Sequence, residues 1–436
     1  MKKYIFFVVG VMCTLLSHTA YAIDLNKSDA NIIGHVLEKK TGEHLPYMTV
    51  ALKGTTIGTM TDGTGHYFLK NLPEGEFILS VSAVGYKPQE RKVTLKRGKT
   101  LEENFELEED MVALDGVVVT ANRNETARRL APTLVKVVTP KLFDMTNSHT
   151  LSQGLVFQPG VRVENDCQNC GYSQVRINGM DGKYTQILID SRPIFSALAG
   201  VYGLEQIPAN MIERVEVVRG GGSALFGSSA IAGTVNIITK EPLRNSGSFA
   251  HSISNFDGSG SFDNNTTLNL SLVSSDNKMG AYIYGQNRHR SAWDSNGDSF
   301  SELPKLKNQT VGVNAYYRLS PYSKLNLEYH HMEEFRRGGN RFDLPPHIAE
   351  DANLNGSGEP GLVEQIEHSI NTGGLKFSAF SKDQKHAFNA YASAQHIVRD
   401  SYYSAYGHTT DFTGVLGAQY IYHFDKLFFM PSDLTG

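Results

Sequence analysis

Apolar and polar side chains alternate along several stretches between residues 243 and 423, and this period of two constrains the fold more than any other feature. Leu268, Leu270 and Leu272, for example, flank Asn269 and Ser271. Successive side chains of a β-strand point to opposite faces, so each such stretch predicts a strand with one apolar face. Further strands are predicted at 280–290, 308–319, 324–330, 371–380, 386–398 and 411–423. We expect about eight antiparallel strands in all.

The connections between these strands alternate in length. Short turns are predicted at 275–279, 320–323 and 381–385, and longer polar loops at 257–264, 291–307, 334–370 and 399–410. Transmembrane β-barrels alternate in this way, with short turns on one side of the membrane and long loops on the other. Beyond residue 22 the chain offers no run of about 18 apolar residues, so any membrane insertion must use strands.

The first 22 residues have the pattern of a secretory signal. Lys2 and Lys3 precede an apolar run over residues 4–16, and Ala20-Tyr21-Ala22 offers a small-x-small cleavage site. We therefore predict a signal peptide over residues 1–22 and an exported protein. The formal net charge of -4 provides no basic surface, so no nucleic-acid partner is expected.

Residues 23–108 are predicted to form a small β-sandwich, because short alternating segments are separated by turn residues at regular spacing. The stretch "GHVLEKKTGEHLPYMTVALKGTTIGTMTDGTGHYFLKNLPEGEFILSVSAVGY" resembles the carboxypeptidase-regulatory-like domain. The resemblance implies a periplasmic accessory module without catalytic groups. His35, His44 and His66 lack the sequence spacing of metal ligands and are interpreted as surface histidines.

The linker at residues 109–123 contains "LDGVVVTANR", Leu114–Arg123. Its β-branched run predicts either an ordinary strand or an exposed peptide that adds to the sheet edge of another protein, and its place between two domains favours the peptide. The segment is similar to the TonB box of outer-membrane active transporters. That resemblance implies a pairing with TonB through Asp115, Gly116, Val117, Val118, Val119, Thr120 and Ala121.

Residues 124–241 resemble the plug domain of TonB-dependent receptors. The motifs that carry the resemblance are "LSQGLVFQPGVRVEN", "QVRINGMDGKYTQILIDSRPI" and "LEQIPANMIERVEVVRGGGSALFGSSAIAGTVNIITKEP", in that order along the chain. They are most similar to vitamin B12 and iron-complex receptors. The resemblance implies a mixed α/β domain placed inside a barrel.

A glycine-rich loop lies within the plug motifs. Gly222 and Gly227 have the spacing of a phosphate-binding loop, but Ser228 stands where that loop requires lysine. Leu225 likewise occupies the third glycine position of a dinucleotide-binding pattern. We therefore predict a tight crossover with positive φ at Gly220–Gly222 and close packing by the small residues 228–233.

The strand number sets a further constraint. A barrel of about eight strands is filled by its own side chains, whereas a lumen that holds a plug needs about 22 strands. We therefore expect residues 242–436 to be the first part of a larger transmembrane antiparallel barrel. The predicted fold class is mainly β: a small sandwich, a mixed α/β plug and about eight barrel strands.

Two cysteines and three aromatic residues are candidate site residues in the plug. Cys167 and Cys170 are expected to form a loop disulfide, because no further ligands are spaced for zinc and no thioredoxin-like unit surrounds them. Tyr172, Phe195 and Tyr202 lie in plug loops that, by the resemblance, face the ligand, and aromatic side chains give apolar contact with little entropy loss.

Asp294, Asn296 and Asp298 occupy alternate positions, as calcium ligands do. The glycine lies one place early and no bidentate glutamate follows at the EF-hand distance, so a plain polar loop is the favoured interpretation. Calcium is the one candidate cofactor.

The residues and the resemblance together predict a TonB-dependent receptor of the bacterial outer membrane. It would bind cobalamin or an iron chelate, contact outer-membrane lipid and take energy from TonB. A haem or glycan receptor, and a passive porin or adhesin, are the alternatives. An enzyme is not expected, because the chain lacks a nucleophile–base set, a metal triad and a phosphate-loop lysine.

Overall fold

The computed structural model describes residues 30–109 apart from 47, 63, 84 and 85, and then 118–119, 126–127, 134–167 and 172–192. It continues with 207–221, 229–427 apart from 384, and 430–435. Strands dominate these residues, as the sequence predicts. No helix among them has the length and hydropathy to cross a membrane.

Residues 30–107 form the expected β-sandwich. Its strands are β1 Ala30–Glu38, β2 Thr49–Leu52, β3 Gly58–Met60, β4 His66–Leu72, β5 Gly75–Ser82, β6 Gln89–Leu95, β7 Thr100–Glu102 and β8 Phe105–Leu107. One sheet has the order β4-β1-β7 with β8 also paired to β1, and the other has the order β3-β2-β5-β6. Alternate apolar side chains of both sheets, such as Ile32, Leu69 and Leu79, are fully buried between them.

The linker contributes β9 Val118–Val119, and the strands after it form the plug. They are β10 Thr126–Ala127, β11 Leu134–Val138, β12 Val161–Cys167, β13 Tyr172–Ile177, β14 Thr185–Ile189, β15 Ile212–Arg219 and β16 Gly233–Thr239. Helices α1 Pro140–Met145 and α2 Leu151–Leu155 follow β11, and single 3₁₀ turns lie at Gly182–Tyr184 and Ala209–Met211. The central sheet has the order β11-β15-β16-β14, with β14 and β16 parallel. Helices beside a mixed sheet confirm the α/β character expected of this domain.

Within the described residues, nine antiparallel strands then form one continuous sheet in sequence order. They are β17 Ser246–Asn255, β18 Phe262–Val273, β19 Met279–Arg290, β20 Lys305–Ser320, β21 Ser323–Gly339, β22 Val363–Phe380, β23 His386–Tyr403, β24 Tyr406–Leu427 and β25 Met430–Thr435. A short helix, α3 Pro346–Glu350, lies in the connection between β21 and β22. The expectation of about eight strands is therefore close to the observed number.

The two faces of this sheet differ sharply in polarity. One lateral row runs across β18–β24 through the register partners Leu272, Ala281, Ala315, Leu327, Leu375, Ala392 and Leu416. Leu272 is 53% exposed and Leu416 is 83% exposed, although both are apolar. The opposite face buries polar side chains such as Asp263, Arg288 and Asn308. The alternation read from the sequence thus places apolar residues outward and polar residues inward.

Several strands are longer than the sequence predicts. β20 to β24 have 16, 17, 18, 18 and 22 residues, whereas about 9–11 residues suffice to cross a bilayer. The connections predicted at 257–264, 291–307 and 334–370 therefore shrink to 256–261, 291–304 and 340–362. In β22 the extra length spaces Val363, Ile366 and Ile370 three and four residues apart, so the period of two that reveals a strand is lost there.

The long loop predicted at 399–410 is wrong. β23 continues to Tyr403 and β24 begins at Tyr406, so a two-residue turn joins them, with Ser404 at φ 57°. The polar residues there belong to paired strands: His408 Nδ1 lies 2.6 Å from Asp400 Oδ1, its register partner. Loop lengths consequently do not alternate as strictly as the sequence suggests.

Three glycines of the large sheet lie directly opposite tyrosines. The register pairs are Gly280 with Tyr316, Gly312 with Tyr284, and Gly417 with Tyr391. In each pair the tyrosine ring lies where a β-carbon of the glycine would be. The ring covers backbone that glycine leaves bare, which offsets the low strand propensity of glycine.

We therefore expect Gly312→Ala to destabilise the sheet, because the added methyl group collides with the Tyr284 ring. The expected loss is about 1–3 kcal/mol of unfolding free energy, as for other overpacked sites. Gly285→Ala is the matched control, since its new β-carbon would meet only Thr310 O at 3.7 Å. Urea unfolding followed by far-UV circular dichroism measures both, and equal midpoints for the two variants would contradict the prediction.

Candidate functional site

The plug lies against the polar face of the large sheet, and the contacts between them are mainly hydrogen bonds. Tyr282 Oη donates to Asn210 O over 2.9 Å, and Asn210 Nδ2 donates to Asn269 Oδ1 over 2.9 Å. Gln286 Nε2 donates to His149 O over 3.4 Å. The rings of Tyr282 and Tyr284 complete the apolar cluster of the plug core. The sheet therefore holds the plug through directional polar contacts and two aromatic anchors.

One buried ion pair joins the two bodies. Arg192 Nη2 donates to Glu328 Oε2 over 2.5 Å, and the two side chains are 5% and 16% exposed. Asp190 Oδ2 lies 3.7 Å from the same guanidinium nitrogen. Among the described residues, Arg192 Nε and Glu328 Oε1 have no hydrogen-bond partner. A charge pair this deeply buried depends on both members, because either one alone would be left without compensation.

The turn after β14 explains how Arg192 reaches the sheet. Asp190 and Ser191 both have positive φ, 47° and 65°. Residues other than glycine adopt this backbone conformation only when neighbouring contacts stabilise it. Asn236 supplies part of that support, since Ser191 N donates to its Oδ1 over 2.9 Å. The Asp190 carboxylate accepts hydrogen bonds from both Thr239 N and Thr239 Oγ1. The motif "IDSRP" is therefore a braced turn that projects Arg192 out of the plug.

His149 lies at the same interface. Burial, with the nearby Arg288 guanidinium, lowers the pKa of His149 below its ordinary value. Arg288 itself is paired with Asp263 on the polar face of the sheet, with Nε–Oδ1 at 3.0 Å. The interface thus presents a neutral imidazole beside a satisfied ion pair at neutral pH.

The predicted TonB box is described only in part. Val118–Val119 form β9 and pair antiparallel with Thr126–Ala127 of β10. Asp115, Gly116, Val117, Thr120 and Ala121 lie outside the described residues. The extended conformation at the two central valines suits a segment that pairs with strands, and the role of the segment remains a prediction.

The glycine-rich loop has the expected positive φ at one of its two described glycines. Gly220 has φ +104°, which confirms the expectation there, whereas Gly221 is outside the positive-φ region and the expectation is wrong at that position. A β-carbon on Gly233 would collide with Val218 O on the neighbouring strand, and Ala230 and Ala232 are buried. Residues 222–228 lie outside the described residues. Close packing rather than phosphate binding accounts for the small residues on the C-terminal side of the loop.

The predicted ligand contacts and the disulfide stay predictions. Tyr172 begins β13, and its backbone is the register partner of Cys167 at the end of β12. Phe195, Tyr202 and Cys170 lie outside the described residues.

The candidate calcium loop brings its acidic side chains together and hydrogen-bonds them to its own amides. Carboxylate oxygens of Asp294, Asp298 and Glu302 lie within 4.8 Å of one another, so the structure adds Glu302 to the residues named from the sequence. The loop amides already use these oxygens: Gly297 N donates to Asp294 Oδ1, and Asn296 Nδ2 donates to Asp298 Oδ2. Calcium binding therefore remains a prediction beside the polar-loop interpretation.

The sandwich contacts the short-turn end of the large sheet. Thr56 N donates to Pro321 O over 2.9 Å, and Arg318 Nε donates to Thr56 O over 2.7 Å. Tyr322, in the same turn, packs against the sandwich core. The sandwich thus lies at the end of the sheet that carries the turn between β20 and β21.

Three histidines that seemed unrelated in sequence are close in space. His35, His44 and His66 have ring centroids 4.9–5.8 Å apart on the sandwich surface. They lie at the surface as expected, with His44 and His66 exposed and His35 half-buried, and the pairing of β1 with β4 brings them together.

Comparison with known proteins agrees with this architecture. A CarboxypepD_reg-like domain matches residues 32–119, and a TonB-dependent receptor plug domain matches residues 127–234. The vitamin B12 transporter BtuB of Vibrio vulnificus strain YJ016 is 32% identical over 229 residues, which cover 46% of this chain and 37% of the relative. The chain thus spans well under half the length of that curated relative.

Solved structures share the fold at low sequence identity. A mutant of the ferric enterobactin receptor PfeA from Pseudomonas aeruginosa superposes with a TM-score of 0.57 at 19% identity, covering 73% of this chain and 49% of that one. The siderophore receptor PirA from Acinetobacter baumannii gives a TM-score of 0.57 at 20% identity, covering 70% and 48%. The plug and the adjoining antiparallel sheet therefore correspond to the plug and part of the barrel in such receptors. The chain therefore carries a CarboxypepD_reg-like domain ahead of a TonB-dependent receptor plug domain.

Proposed function

We propose that this chain is part of an outer-membrane receptor that imports a scarce ligand, cobalamin or an iron–siderophore complex, with energy supplied through TonB. The protein acts as a transporter rather than an enzyme. The observation that carries the proposal is a plug seated on the polar face of a sheet whose other face is apolar. A porin would be blocked by such a plug, and an adhesin would have no need of one.

The membrane location is supported by the apolar row across β18–β24. A water-soluble sheet covers its apolar face with another layer, whereas Leu327, Leu375 and Leu416 are 50%, 43% and 83% exposed. An outward apolar band on antiparallel strands is suited to contact with lipid. The sandwich, which contacts the short turns, then lies in the periplasm, where those turns face in barrels of this kind.

The coupling mechanism follows from the nature of the plug contacts. Hydrogen bonds and one ion pair lose their strength steeply with displacement and are replaced by water, so a pulled plug separates without a large exposure of apolar surface. Ligand bound above the plug would make residues 115–121 available to TonB, which adds to them as a strand. Force on this segment would then open the route for the ligand.

The ligand class rests on relatives. BtuB is named a vitamin B12 transporter and PirA a siderophore receptor. Growth of a deletion strain on cobalamin or on single iron chelates as the limiting source tests both. Unchanged growth on all of them, with a defect on haem or a glycan instead, would replace the proposed ligand.

Deletion of Asp115–Ala121 is expected to abolish uptake of the ligand while ligand binding stays at the level of the intact receptor. In the proposed mechanism the segment transmits energy, and the plug–sheet contacts of the described residues named above do not include Val118 or Val119. Radiolabelled ligand measures binding to de-energised cells and uptake by energised ones.

Two point substitutions refine this test. Val118→Pro removes the backbone N–H that a paired strand needs, so uptake should fall as in the deletion. Val118→Thr keeps both the N–H and the β-branch and should transport normally. Uptake that persists in the deletion strain would refute the coupling mechanism.

The ion pair between Arg192 and Glu328 is expected to clamp the plug. Arg192→Met or Glu328→Gln alone leaves one buried group without its partner, and the expected cost is about 3–5 kcal/mol of plug stability. The double variant should cost less than the sum of the two single variants. Hydrogen exchange of the plug amides in the purified receptor measures the three values.

Arg162→Ala provides the control for that cycle. Arg162 Nε pairs with Glu164 Oε1 at 2.8 Å, but the Arg162 side chain is 78% exposed, so the expected loss is below about 1 kcal/mol. Additive effects of the two clamp substitutions would show that Arg192 and Glu328 do not act as a pair.

A further inference from the structure

The sandwich presents three imidazole rings on one patch of its surface. His35 and His66 are direct register partners on the antiparallel strands β1 and β4. His44 lies after β1 in the chain, and its backbone forms an isolated antiparallel bridge with Leu37 of that strand. The ring centroids are 5.3 Å apart for His35 and His44, 5.8 Å for His35 and His66, and 4.9 Å for His44 and His66. His44 and His66 are exposed, and His35 is half-buried.

The backbone holds these positions firmly. Gly65 has φ +78°, and a β-carbon there would lie 2.8 Å from His44 Cβ, so only glycine allows the two segments to approach this closely. Val36 N donates to Gly65 O over 2.9 Å, and Leu45 N donates to Val36 O over 2.8 Å. Val36 and Leu45 are themselves buried in the sandwich core. Each histidine is therefore next in sequence to a residue with a fixed position. Val36 and Leu45 are held by burial, and Gly65 is held by its backbone hydrogen bond.

A chain of hydrogen bonds orients the ring of His66. Thr64 Oγ1 donates its single proton to Asp62 Oδ1 over 2.7 Å. The same hydroxyl oxygen lies 3.1 Å from His66 Nδ1, and it can only accept there because its proton is already used. His66 Nδ1 consequently carries the proton in the neutral ring, and the lone pair of Nε2 is left for another ligand.

We propose that His35, His44 and His66 bind a divalent transition-metal ion of the zinc and copper type. Imidazole nitrogen is a preferred donor for these ions. Three histidines with a water in the fourth position form a common tetrahedral set. The carboxylate–hydroxyl–imidazole chain from Asp62 through Thr64 to His66 is the outer-shell support that such ligands receive.

Binding requires the rings to converge. Zinc–nitrogen bonds of about 2.0–2.1 Å place tetrahedral donors about 3.3 Å apart, whereas the ring nitrogens of the three histidines do not all lie within 4.8 Å of one another. Rotation about the side-chain torsions of His35 and His44 supplies this movement, because His44 is exposed and His35 is half-buried. His66 keeps its orientation through Thr64. The site is independent of the transport function proposed above.

The test uses the receptor purified in detergent and stripped of metal with a chelator. Zn²⁺ is titrated in competition with a chromogenic indicator, for the unaltered receptor and for His44→Ala/His66→Ala. The unaltered receptor should bind one more equivalent of Zn²⁺ than the double variant. His251→Ala, which removes a histidine from the exposed face of β17, is the matched control and should bind as the unaltered receptor does.

Thr64→Val and Thr64→Ser separate ligation from a merely structural effect. Thr64→Val keeps the shape but loses the hydroxyl that fixes the His66 tautomer, so Zn²⁺ affinity should fall at least about tenfold. Thr64→Ser keeps the hydroxyl and should restore the affinity. Metal-free melting temperatures check that all variants fold, and His44→Gln replaces the double variant if that one does not. Equal Zn²⁺ stoichiometry and affinity in the unaltered receptor and in the histidine variants would overturn the proposal.

Discussion

The polarity of the large sheet is the constraint on which the rest of the structure depends. Strands with apolar side chains outward and polar side chains inward cannot be stabilised in water by burying their outer face. The inner face then needs partners that satisfy Asp263, Arg288 and Asn308 by hydrogen bonds and ion pairs. The plug meets the same inner face with polar contacts of its own. Polar contacts hold the plug on the sheet, and water can replace those contacts when the plug and the sheet separate.

The plug–sheet interface contains two kinds of contact, one aromatic and one ionic. Tyr282 and Tyr284 bury apolar surface against the plug core and set its position. Arg192 and Glu328 add a charge pair whose members depend on each other. The braced turn at Asp190 and Ser191 keeps conformational strain next to that pair. A small displacement of the turn is therefore enough to disturb the charge pair, while the aromatic contacts fall away more gradually.

Much of this fold could be predicted from local sequence. Alternation at Leu268, Leu270 and Leu272 revealed the strands near their centres, and the ordered motifs of residues 124–241 revealed the plug. Strand ends were harder, because residues such as Asp400 and His408 are polar yet paired. Partners distant in the chain were hardest of all. Neither the pairing of Arg192 with Glu328 nor the meeting of three histidines has a sequence signal. The ion pair depends on how the plug docks on the sheet, and the histidines depend on the pairing of β1 with β4.

The short strand at Val118–Val119 already has a neighbour in Thr126–Ala127. Any protein that adds its own strand to this edge must compete with a segment of the same chain. An intramolecular competitor on a short tether has an effective concentration in the millimolar range. Under the proposed coupling, β10 would therefore compete with TonB for β9, and a partner held near the receptor would displace β10 more readily than a dilute one.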